Sequence, residues 1–322
     1  MRKLRPKDTK VTCRTLRYVP ENSKDKIISD EDVLGTLLKV FQALFISDFS
    51  RQTDILVLLP EAVKSKYQDL FVTHHQRTEQ SRYNIQQQRI HNPGEVLFNT
   101  LGFNISRETS SLISAGKGVF VTKGFVPKGA VVSMYPGTVY QKHEPIFFQS
   151  IRNPFIFRCL DGILIDGNDK GLSKVVYRSC NGRDRFGPFK MSDSTWLTSE
   201  VQNPLAIGQY VNNCSNDKEA NVCYQEFDVP ELFPLEFKQY LPNIMYSHDS
   251  QSYLKQSCPT LCDPVCGFLG KDTGVVCHFL LQLILQMRKL KQIDPLRCVV
   301  LVALRDIQQG EELFSNYYTI IN

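Results

Sequence analysis

A single change of period constrains this chain more than any other feature. Before about residue 105 the apolar residues recur at helical spacing; from Ser110 onward they fall into short β-like runs separated by Gly and Pro. In the first part, Asp30 is read as the cap of a helix carrying Val33, Leu34, Leu37, Leu38, Phe41, Leu44 and Phe45, which Ser47 and Asp48 end. Pro60 opens a second helical run through Val63, Tyr67, Leu70 and Phe71. The polar, glutamine-rich stretch Gln76–Arg89 follows as an exposed helix end or linker, and Gly94–Leu101 is a short amphipathic piece stopped by Gly102. In the second part the expected strands are Gly118–Val121, Ala130–Tyr135, Phe155–Leu160, Ile163–Asp166, Val175–Cys180, Asn221–Phe227 and Cys298–Leu304. Asp161-Gly162 marks a hairpin, and Cys298–Leu304 is apolar enough to be central. Too few helices alternate with these strands for a doubly wound nucleotide-binding sheet. The expected architecture is α+β: an all-helical leader over 30–105, then a β-rich body of small sheets over 110–319.

Composition excludes several other classes. With 42% hydrophobic and 22% charged residues in 322, the chain is neither disordered throughout nor fibrous, and no apolar run is long enough for a membrane span. Its net charge of +5 is placed unevenly. Met1–Thr15 carries six basic residues against Asp8 alone, and residues 1–29 are read as a basic disordered tail. Gln251–Ile293 adds five basic residues against two acidic ones. The remainder holds 27 basic against 30 acidic residues, so nucleic-acid binding is not expected of the body. The block 251–293 also interrupts the strand pattern and contains Cys258, Cys262, Cys266 and Cys277. Their spacing does not match the two-residue knuckle of common zinc sites, so the block is read as an unstructured insertion and no structural zinc is expected. Ten cysteines are too few for a secreted disulfide scaffold, and no apolar stretch follows the basic start. The expectation is an intracellular protein with reduced thiols, nucleus and cytoplasm not being separable.

Common catalytic signatures fail in detail. His143-Glu144 begins like a zinc-protease helix, but the fifth position is Phe147 and Pro145 would break the helix. Asp166-Gly167-Asn168 begins like a calcium loop whose fifth position is Lys170 and whose twelfth is Tyr177. Three other segments gain meaning only together. Gly116-Lys117-Gly118 enters a strand and allows close backbone approach to a ligand. Gly208–Ser215 brings consecutive asparagines, Asn212 and Asn213, ahead of Asn221, and side-chain amides both donate and accept. Ala303–Tyr317 passes through Gly310-Glu311-Glu312-Leu313 to a tyrosine.

With Tyr135-Pro136-Gly137 between the first two, this order resembles the SET-domain methyltransferases. The resemblance implies a SET fold of several small sheets with a knot-like C-terminal arrangement. It implies S-adenosyl-L-methionine as cofactor and the lysine side chain of a protein as substrate. Gly116, Lys117, Gly118, Asn212, Asn213 and Tyr317 would bind the cofactor, and Tyr317 and Tyr135 would be the catalytic tyrosines beside the transferring methyl and the lysine channel. No metal site and no membrane partner are implied. The chain departs from the family pattern at Asn213, where histidine is usual, at Ser215 for cysteine, and at Ser315 for an aromatic residue. No cysteine-rich segment precedes the domain or follows Tyr317, so the piece that closes the channel would have to come from Pro230–Tyr246 or from the helical leader, or be absent. The alternative reading is a non-catalytic SET-like module that binds a partner.

Overall fold

A computed structural model describes residues 26–48, 52–67, 92–113, 115–185, 187–215, 217–247 and 295–316. The first helix, α1, spans Asp30–Ser47. Its cap is Ser29, whose Oγ accepts from the Asp32 amide at 3.1 Å, and Asp30 is the first helical residue rather than the cap. Asp30, Glu31 and Asp32 then place negative charge at the positive end of the helix dipole. Val33, Leu37, Val40, Phe41, Leu44 and Phe45 repeat at three and four residues and are all buried. Two short helices follow, α2 (Thr53–Leu58) and α3 (Glu61–Lys64), the latter continuing as a 3-10 turn to Tyr67. Leu70, Phe71 and the stretch 76–89 lie outside the described residues, as do Met1–Thr15 and 251–293. The helix α4 (Pro93–Leu101) ends at Gly102, whose φ of +85° is the left-handed conformation that residue permits.

Strand begins earlier than the sequence pattern indicates. β1 (Phe103–Thr109) pairs antiparallel with β2 (Lys117–Gly124), so the change of period falls at Gly102. The central sheet has five strands in the order β3-β10-β8-β11-β7, built from β3 (Val131–Tyr135), β7 (Asn212–Asn213), β8 (Val222–Val229), β10 (Leu296–Ala303) and β11 (Phe314–Ser315). β10 is indeed interior, flanked by β3 and β8. A third sheet orders β5-β6-β4-β9, from β4 (Gly137–Tyr140), β5 (Ile156–Arg158), β6 (Leu164–Asp166) and β9 (Asn243–Met245). β5 and β6 form the hairpin expected across Asp161-Gly162.

One expected strand is a helix. After the one-turn helix α5 (Phe147–Ser150), residues Gly171–Arg183 form α6, which contains all of Val175–Cys180. The β-branched pair Val175-Val176 suggests strand, but the buried positions are Ser173, Tyr177 and Cys180, spaced four and three apart. A strand would have buried alternate residues, whereas Val175 faces solvent.

The C-terminal chain makes the knot-like crossing. Leaving β10, it runs back along β2, where Leu313 N–H donates to the Val119 carbonyl at 2.7 Å and Gly310 N–H to that of Val121 at 2.7 Å. It then inserts as β11 between β8 and β7, parallel to both. One continuous apolar cluster joins α1 and α4 to the strands, holding Phe41, Leu44, Leu97, Val119, Val300 and Leu301.

Candidate functional site

The site grows from the loop joining β1 and β2. Gly116 has φ of +76°, nothing lies within 4 Å of where its Cβ would stand, and its carbonyl accepts from the Ser110 amide at 3.0 Å. Gly118 is different. A Cβ there would come 2.1 Å from Glu312 Oε1, so the missing side chain makes room for a carboxylate from the far end of the sequence.

Glu312 is the hub. Its Oε1 accepts from Ser110 Oγ at 2.6 Å and Asn212 Nδ2 at 3.2 Å; its Oε2 accepts from the Ser111 amide at 2.8 Å and Ser111 Oγ at 2.6 Å. Burial acts to raise its pKa, but these donors outweigh it and hold the carboxyl below its usual range. Asn212 Nδ2 also donates to the Lys117 carbonyl at 3.0 Å and to Ser110 Oγ at 3.1 Å. Gly116, Lys117, Gly118 and Asn212 therefore meet around one buried anion.

Strand pairing sets the position of the asparagines. β7 lies parallel to β11, with Asn212 opposite Phe314 and Asn213 opposite Ser315. Asn221 locks that arrangement: its Nδ2 donates to the Glu312 carbonyl at 2.9 Å and its Oδ1 accepts from Phe314 N–H at 2.8 Å. Asn213 is exposed beside it, and the adjacent Ser315 Oγ is buried without a hydrogen-bond partner. Gln209 Oε1 is a second buried acceptor without one. Upstream, Tyr210 donates its hydroxyl to Asp169 Oδ2 at 2.6 Å, while the Arg107 guanidinium stands 4.7 Å from its ring centre and 3.5 Å from Asp169. Burial and the Asp169 hydrogen bond push the Tyr210 hydroxyl up to about 12. Tyr210 is thus tied to β1 on one side and to the loop after β6 on the other.

Tyr135 sits apart from the carboxylate. Its hydroxyl donates to the Phe155 carbonyl at 2.8 Å, and its ring packs with Phe157 and Tyr224 in the smaller cluster with Val139, Ile165 and Val299. Gly167 separates it from the asparagine segment: a Cβ there would lie 2.8 Å from Tyr135 Cε1 and 3.2 Å from Gln209 Cβ. Tyr317 lies outside the described residues, which end at Asn316. Glu312, Ser110 and Ser111 carry no role in the sequence reading; the available signal was a small residue, Gly118, with no turn to justify it.

Cys159, Asp161 and Glu226 could geometrically surround a cation. Arg297 already supplies the positive charge, pairing with Asp161 at 3.2 Å, Asp228 at 2.6 Å and, closer still, Glu226. Burial, the largest effect, also pushes the Cys159 thiol up to about 12, which keeps it protonated and a poor ligand. Among the described residues no helix is long and apolar enough to cross a membrane.

No family model matches the chain. SET domain-containing protein 9 of Homo sapiens is 67% identical over 309 residues, which are 96% of this chain and 89% of the human protein. The protein of the same name from Pongo abelii is 67% identical over 308 residues, 96% of this chain and 97% of its own. Two similar solved structures are ctPRC2 in an autoinhibited conformation bound to S-adenosylmethionine (13% identity, 67% of this chain and 15% of that one, TM-score 0.30) and CpSET8 from Cryptosporidium (11%, 74% and 69%, TM-score 0.29).

Proposed function

The chain belongs to the family of SET domain-containing protein 9, and from that premise we propose that it transfers a methyl group from S-adenosyl-L-methionine to a lysine side chain of a protein. The carrying observation is the convergence of the glycine, asparagine and glutamate segments on Glu312. S-adenosyl-L-methionine supplies an electrophilic methyl group on a sulfonium cation. The residues present fit such a ligand. Open space at Gly116 lets a ligand reach the backbone, and the orphaned Ser315 Oγ and Gln209 Oε1 are polar atoms in need of partners. The ionised Glu312 gives the site a negative field suited to a cation, and its four donors keep it from being neutralised.

In this reading Gly116, Lys117, Gly118, Asn212 and Asn213 hold the cofactor. Tyr135, fixed through Phe155, lines the amine channel. Tyr317 positions the attacking amine by motif order. Such a transfer depends on alignment and exclusion of water more than on a strong acid or base. The same proposal includes an intracellular location, nucleus and cytoplasm not being separable.

Calorimetry on the folded protein should detect cofactor binding. Labelled-cofactor assays on protein substrates should give transfer that Tyr317→Phe abolishes while binding persists. No cofactor binding in a folded sample would overturn the proposal. Binding without transfer across a broad set of lysine substrates would instead favour an interaction module, the reading to which Asn213 in the histidine position points.

A further inference from the structure

A second surface lies away from this site, on the face made by α5 and α6. Phe147 and Phe148 are 70% and 73% exposed, Ile151 57%, and Leu172 and Val175 48% and 62%. Scattered exposed apolar residues are ordinary, but four of these sit on two helices that pack against each other, and Ile151 caps the first of them. Asn153 fixes the pair, donating through Nδ2 to the Gln149 carbonyl at 2.9 Å, Asp166 Oδ1 at 2.8 Å and, weakly, Ser173 Oγ at 3.4 Å. The face is therefore preformed rather than a loose loop. One turn further along α6, Val176, Ser179, Cys180 and Arg183 line an open cleft of about 310 Å3 with Tyr246, large enough for one inserted side chain.

Charge indicates what would cover it. Arg152, Lys170 and Arg178 are exposed around the apolar residues, and none forms an ion pair among the described residues. Of the nearby acids, Asp166 is buried, Asp169 serves Tyr210 and Arg107, Asp161 serves Arg297, and the half-buried Glu144 accepts from the Gln141 amide at 2.7 Å. Positive charge predominates on the face: Asp184 is paired with Arg183, and Glu144 is the one further acid beside it among the described residues, against Arg152, Lys170 and Arg178. Two occupants are disfavoured by that sign. Residues 251–293 are themselves net basic, and a second copy would bring the same cations against these.

We propose that this face docks an acidic amphipathic helix of a partner protein. The helix lays apolar side chains over Phe147, Phe148, Ile151, Leu172 and Val175, and sets acidic side chains against Arg152, Lys170 and Arg178. This does not rest on methyl transfer.

The test uses the full chain and two fluorescent synthetic helices with the same leucine stripe, one with glutamates on the remaining face and one with lysines. Anisotropy should detect the glutamate helix, with salt-sensitive binding weakened roughly tenfold or more for the lysine helix. Val175→Ser with Phe148→Ser, and separately Lys170→Glu with Arg178→Glu, should each weaken the glutamate helix similarly while circular dichroism stays unchanged. Equal binding of the two helices, no binding of either, or undiminished binding by both folded variants would overturn the proposal. So would a dimer in sedimentation that the same substitutions dissociate. Binding that appears only after removal of 251–293 would overturn it in favour of self-coverage.

Discussion

Gly118 and Glu312 are complementary shapes contributed by opposite ends of the body, so each should fail without the other. In Gly118→Ala the new methyl group would occupy the position of Glu312 Oε1, against a neighbour held by Ser110, Ser111 and Asn212. The expected result is a loss of about 1–3 kcal/mol of stability and a weakening of cofactor binding, read by denaturant unfolding and calorimetry. At Gly116 nothing lies within 4 Å of where a Cβ would stand and asparagine tolerates positive φ, so Gly116→Asn should be nearly silent in stability. The charge of Glu312 adds a pH signature. Its folded pKa is depressed, so its stabilisation is complete above the ordinary carboxylate range and is lost as pH falls through the folded value. The difference in Tm between the parent chain and Glu312→Gln should therefore be full at neutral pH and should shrink below about pH 4. A difference independent of pH would mean that shape, not charge, accounts for the hub.

At the scale of elements, β11 is too short to hold itself. Two residues wedged between β8 and β7 depend on the Asn221 side chain, which substitutes for two missing ladder bonds. Asn221→Ala leaves the Phe314 N–H and the Glu312 carbonyl without partners in the interior, at a cost of roughly 2–4 kcal/mol. Asn221→Asp keeps an acceptor for Phe314 but sets a carboxylate oxygen against the Glu312 carbonyl in a buried site, and should cost at least as much as Asn221→Ala. Hydrogen exchange at Phe314 should rise in both variants ahead of exchange in β10; unchanged protection there would show that packing alone seats the strand. This element also marks the limit of reading by pattern. β10 was legible because six consecutive buried residues end it, and α1 because its buried positions repeat at three and four. β7 and β11 are two residues each, shorter than any period, and only motif order located them. α6 misled for the opposite reason: its two valines have strand propensity, while the burial that decides its state comes from Tyr177 packing on Trp196 and Cys180 meeting the Tyr246 segment. The carboxylate hub was not legible, since Ser110 and Glu312 are joined only once the chain has crossed itself.

At the scale of the whole molecule, the helical segment and the sheets share a core. Phe41 packs its ring at 6.2 Å from Phe233 and 5.6 Å from Tyr240, and Phe45 lies 5.3 Å from Tyr67 and 6.0 Å from Phe237. Its helix thus grips the segment between β8 and β9, which lies in the region considered from sequence for closing the channel. Gln225 extends the tie, its Nε2 donating to the Ile28 carbonyl at 2.9 Å and its Oε1 accepting from the Ile27 amide at 2.9 Å. Sequence separates leader from body because its period changes; packing does not respect that boundary, since a helix with one apolar stripe must bury it on something. Truncating Phe41 to alanine should therefore cost about 3–5 kcal/mol and do so for the entire fold. The chain has one tryptophan, Trp196, buried against Tyr177 far along the sequence from α1, so its fluorescence reports the body while far-UV circular dichroism reports the helices. If the core is shared, both signals shift together to lower denaturant in Phe41→Ala and remain one transition. A helical signal that melts early while the Trp196 transition stays in place would show instead that α1 is a separable appendage.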